Sequence, residues 1–90
     1  MTLPELRGVS ARVFVRALQQ DGFSLSRVNG SHHVFRDADG RRVVVPYHAL
    51  GDVFRRGTLS SMLRATRWTT ADLIRVGLLR DRGETPRRAA

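Results

Sequence analysis

A chain of 90 residues has room for one small core, and with 41% hydrophobic and 27% charged residues it is too apolar for wholesale disorder. All sixteen basic residues are arginine, and against eight acids they leave a formal charge of +8, the footprint of a protein with a polyanionic partner. The lack of cysteine excludes disulfides and thiolate zinc sites, and three histidines with scattered acids make no metal constellation, so neither metal nor other cofactor is expected. No apolar run approaches the ~20 residues of a membrane span, and the N-terminus lacks the pattern of a secretory signal. The expectation is a cytoplasmic protein.

In chain order, residues 1–9 read as a short lead. Ser10 is a candidate N-cap, and Val13, Phe14, Ala17 and Leu18 fall on one face of a first helix that Gly22 stops. Phe23 to Val28 alternates as a half-buried strand does. Asn29-Gly30 is a hairpin turn, followed by a second strand over Ser31 to Arg36. Asp37-Ala38-Asp39-Gly40 is a second turn, and Arg41 to Val45 a third strand closed by Pro46. Tyr47 to Gly57 connects to a second helix with Thr58 as N-cap and Leu59, Met62, Leu63 and Thr66 as its apolar stripe. Thr69 or Thr70 caps a third helix, with Asp72 in its first turn. The fold class is therefore α+β, α-β-β-β-α(-α), with a three-stranded antiparallel sheet covered on one face by helices and open on the other. Residues 1–79 form the single domain. Residues 80–90, with four arginines, form an arginine-rich C-terminal tail expected to fray.

The chemistry concentrates in Gly30-Ser31-His32-His33. Histidine is the side chain whose ordinary pKa, about 6.5, allows proton transfer near neutrality. Successive strand residues point to opposite faces, so one of the two histidines faces the open side and the other the helices. Arg36 shares the face of His32. Arg27, Arg41 and Arg42 on the neighbouring strands extend a basic track suited to phosphate. Gly57-Thr58-Leu59-Ser60 reads as a helix cap, with a phosphate cradle as the alternative. His48 is a further candidate phosphate or proton-transfer group, and Tyr47 a candidate for stacking on a base. Trp68, Phe14, Phe23 and Phe35 read as core.

The joint order of Gly22-Phe23, Arg27, Gly30-Ser31-His32-His33-Val34-Phe35-Arg36, Asp39-Gly40-Arg41-Arg42-Val43-Val44-Val45-Pro46, His48 and Gly57-Thr58-Leu59 resembles the HicA family over roughly residues 10–79. These are toxins of type II toxin–antitoxin pairs that cleave mRNA and are neutralised by HicB antitoxins. The resemblance implies a double-stranded-RNA-binding-domain-like fold and a metal-independent endoribonuclease. Its catalytic general acid/base would be the histidine of Gly-Ser-His, here His32, with Ser31 in the same motif. Arg27, Ser31, Arg36, Arg41, Arg42 and His48 are the candidate RNA-binding residues, and RNA and a HicB-type antitoxin the expected partners of a monomeric toxin. The alternative is a non-catalytic RNA-binding module of the same fold. The chain departs from the family pattern at Ala49 to Arg56, at Asp37, and at Thr66-Arg67-Trp68, where a small glycine-containing turn is common.

Overall fold

The computed structural model describes residue 6 and residues 8–79. Residues 1–5, 7 and the arginine-rich tail 80–90 lie outside the described residues. The elements are α1 (Ala11–Gln20), β1 (Ser24–Asn29), β2 (His32–Arg36), β3 (Arg42–Pro46), α2 (Arg56–Thr66) and α3 (Thr70–Arg75). The strands form one antiparallel sheet in the order β1-β2-β3. This is the expected α+β order of a double-stranded-RNA-binding-like fold. No described helix is long and apolar enough to cross a membrane.

The caps explain two of the helix boundaries. The Ser10 hydroxyl accepts from the Val13 N–H at the start of α1. Thr69 and Asp72 form a reciprocal capping box at the start of α3. For α2 the reading on Thr58 is corrected: the helix starts at Arg56, Arg55 is its N-cap without a side-chain bond, and Gly57 to Ser60 lie inside its first turns. Packing decides this entry instead of capping, because Phe54, just before it, packs edge-on to Phe14 of α1 with centroids 5.9 Å apart.

The helix-side core joins Phe14, Ala17 and Leu18 of α1, Phe35, Val43 and Val45 of the sheet, Leu59, Met62 and Leu63 of α2, and Leu73 and Val76 at α3. Trp68 packs against Phe14 and Phe23, as expected of a core residue. Leu6 and Val9 are buried too, so the segment read as a mere lead supplies core contacts. The first strand also differs from its reading. All six residues of β1, an edge strand, are exposed, Leu25 and Val28 among them, and only Phe23, just before it, joins the core.

The first hairpin is shifted by one residue from its predicted position. Asn29 pairs with His32, so Gly30-Ser31 is the two-residue loop and Asn29 belongs to β1. Gly30 has φ +64 while Ser31 is not at positive φ, the pattern of a turn with glycine at its first central position. A side chain at Gly30 would be strained there whatever the space around it.

Candidate functional site: the open sheet face and its end cleft

The strand register divides the sheet residues between two faces. His33 faces Val45 and Phe35 faces Val43 across β2–β3, and Val43 and Val45 are fully buried, so these four define the helix side. His32, opposite Pro46, and Arg36, opposite Arg42, therefore share the open side. On β1, Arg27 pairs with Val34 and joins that side, diagonal to His32. His32, Arg27, Arg36 and Arg42 are all exposed, and none forms an ion pair or hydrogen bond with another described side chain. An exposed imidazole thus shares a solvent-facing sheet surface with three arginines, Arg27 diagonal to it and the Arg36–Arg42 pair at the other end of β2. Val34, on the same face between His32 and Arg36, is buried.

The other histidine is anchored. His33 Nδ1 lies 3.0 Å from the Ser31 carbonyl and 3.2 Å from the Val45 carbonyl. Carbonyl oxygens only accept, so Nδ1 carries the proton and donates to both. Its ring stacks on Tyr47, with centroids 3.7 Å apart and planes within 7°. The Ser31 carbonyl also accepts from the Tyr47 N–H at 2.9 Å. His33 therefore ties the Gly30-Ser31 loop, which precedes His32 in the chain, to the end of β3.

Arg41 does not join the basic track. Its guanidinium donates to Asp37 through Nε at 2.6 Å, to the Thr66 carbonyl at 2.8 Å and to Asp21 at 2.9 Å, and stands 4.7 Å from the centroid of Phe23. Asp21 also accepts from the Trp68 indole N–H and from Arg75. Burial opposes ionisation of Asp21, but the hydrogen bonds from Trp68, Arg75 and Arg41 outweigh it and hold its carboxyl below the usual range. The second turn explains why Arg41 sits here: Asp37 Oδ1 accepts from the Asp39 and Arg41 N–H groups, pulling Arg41 out of the strand. That short-range aspartate was the available signal, and it separates Arg41 from Arg42.

Beyond the ends of β2 and β3 opens a cleft of about 350 Å³. Ser31, Pro46 and Tyr47 wall it on the sheet side, and Phe54, Arg55 and Thr58 on the side of α2. His48, Asp52 and Val53 complete it. The backbone N–H groups of His48 and Ala49 both donate to Asp52 Oδ2, which fixes the connection that carries His48 and lowers the Asp52 pKa. Ser31 and His48 of the expected RNA-binding set thus both line the cleft, while Arg27, Arg36 and Arg42 share the sheet face with His32. The cleft lay beyond sequence reasoning because residues 49–56 carry no periodic pattern. Among the described residues no group of three or more metal-ligating side chains comes together.

Fold and face together define a small α+β module of the double-stranded-RNA-binding type with a basic open sheet surface. The family model described as HicA toxin of bacterial toxin-antitoxin matches residues 11–68, well over half of the chain. The chain belongs to the HicA family and is a toxin of a toxin–antitoxin system, with an antitoxin as partner. Comparison with curated proteins returns no match.

Proposed function

We propose that the protein is a metal-independent endoribonuclease that cleaves mRNA with His32 as general acid/base and is inhibited by a HicB-type antitoxin. The observation that carries this reading is the shared open face: His32 with Arg27 diagonal to it and the Arg36–Arg42 pair further along the same face, all exposed, on a chain of a toxin family. The neutral imidazole of His32 takes the proton of a ribose 2′-hydroxyl. The 2′-oxygen attacks the adjacent phosphorus, the bond to the 5′-oxygen breaks, and the leaving oxygen receives a proton from imidazolium or water. The products are a 2′,3′-cyclic phosphate and a 5′-hydroxyl. Arg27, diagonal to His32 across β1–β2, meets the charge that grows on the phosphoryl oxygens. Arg36 and Arg42, cross-strand neighbours further along the same face, hold the adjoining phosphates of the strand.

End-group analysis tests this chemistry. Purified protein incubated with RNA in EDTA yields fragments with cyclic phosphate and 5′-hydroxyl ends, and an RNA with a 2′-deoxy substitution at the cleaved position resists. Fragments with 5′-phosphate ends would contradict the mechanism. A retarded but intact RNA would favour the non-catalytic binding module. An acidic antitoxin co-expressed with the toxin is expected to relieve growth arrest by covering the basic face.

A further inference from the structure

We propose that the cleft at the end of the sheet is a nucleobase-binding subsite, which receives the unstacked base of a nucleotide flanking the phosphate held at His32. The inference rests on the ribonuclease reading and adds a place for a base to its account of the phosphate. Pro46, on the cleft wall, is the cross-strand partner of His32, and Ser31, also on the wall, precedes His32 in the chain. A phosphate at His32 therefore has its neighbouring nucleotide at the mouth of the cleft.

The volume of about 350 Å³ lies at the small end of ligand pockets, which run from roughly 300 to 1,000 Å³. Pro46, Tyr47 and Phe54 offer apolar surface for a flat ring, and single-stranded RNA is commonly held by splaying bases onto aromatic side chains. Tyr47 is braced for this, since its ring is stacked against His33 and its N–H is bonded to Ser31. A pre-ordered platform loses little side-chain freedom on binding. Arg55 and the Thr58 hydroxyl stand at the α2 side, where they can meet the ribose-phosphate of the same nucleotide. The Asp52 carboxylate on the wall disfavours a phosphate inside the cleft but can accept from the amino group of a base.

The test uses the full chain carrying His32→Ala, so that binding is measured without cleavage, and two fluorescent probes: a mixed-sequence RNA octamer and an abasic ribose-phosphate octamer of equal length. Tyr47→Ala in this background weakens octamer binding by roughly five- to a hundredfold, the span of base–aromatic stacking, and leaves abasic binding within about twofold. Val53→Trp is the second variant. Val53 is 59% exposed, so added bulk there fills the cleft without removing a core side chain, and the same selective loss is expected. This variant decides the matter if Tyr47→Ala fails to fold. Equal binding of both probes, or equal losses on both, would overturn the subsite while leaving RNA binding by the sheet face intact. Binding to neither probe would overturn the subsite together with the ribonuclease reading.

Discussion

Arg41 and Arg42 carry the same side chain on adjacent residues and have opposite environments. Arg41 is held by two carboxylates, a carbonyl and an aromatic face, while Arg42 stands exposed opposite Arg36. Removing Arg41 leaves Asp37 without its cation, Asp21 with Arg75 alone, and the Thr66 carbonyl without the Arg41 donor. Arg41→Ala is therefore expected to lower stability by about 2–3 kcal/mol, read as a fall of roughly 10 °C or more in Tm for a domain of this size. Arg42→Ala is expected to stay within about 0.5 kcal/mol of the parent, as exposed substitutions do, and to weaken RNA binding instead. A thermal melt and a binding titration on each variant check the pair, and equal melts with equal affinities would contradict the assignment. His32 and His33 divide in the same manner, one exposed among arginines and one clamped by two carbonyls.

At the scale of elements, helix faces and strand order were legible in the residues, because apolar spacing at 3–4 residues and at 2 residues reports which side is buried. The face shared by His32 and Arg36 was legible for the same reason. Whether that face is open depends on where α1 and α2 pack, which alternation in β2 alone does not reveal. The exposure of β1 and the burial of Leu6 and Val9 are equally tertiary outcomes. The cleft is further removed still, since it is formed by a connection whose course depends on Asp52 capping two N–H groups and on Phe54 finding Phe14. The end of α2 shows a local cost. Arg67 caps it at φ 60, in the left-handed region that favours glycine, and it lies where the family pattern carries a small glycine-containing turn. Arg67→Gly is expected to raise stability by about 0.5–1 kcal/mol, the steric relief outweighing the added chain entropy, with a higher Tm as the readout. Acid should loosen the joint between α1, α3 and the second turn. The Asp21 carboxyl is depressed in the folded protein, so its contribution is fully present above its unfolded pKa of about 4 and is lost as pH falls through the lower folded value. Denaturant melts from pH 7 to pH 2 follow this loss, and Asp21→Asn, already less stable at neutral pH, is expected to show a shallower decline.

For the whole molecule, the +8 charge acts through its distribution. One group of cations is held in internal ion pairs, whereas Arg27, Arg36 and Arg42 are spread along the face that carries His32 and give that face a positive potential. RNA affinity is therefore expected to fall linearly with the logarithm of salt concentration, and each of Arg27→Ala, Arg36→Ala and Arg42→Ala to reduce the slope by about 0.7. Arg41→Ala, measured below its lowered Tm, is expected to leave the slope unchanged. An antitoxin that covers the same face competes with RNA, so the salt dependence of both complexes should track the same three arginines. RNA cleavage in EDTA by the parent, His32→Ala and His33→Gln proteins, each shown to be folded, tests the role of His32 itself. His32→Ala is expected to lose roughly 10²- to 10⁴-fold in rate, the usual worth of a general acid–base group, while still binding RNA, and His33→Gln to keep cutting. Cleavage by His32→Ala at the parent rate, or loss of cleavage by a folded His33→Gln alone, would contradict it.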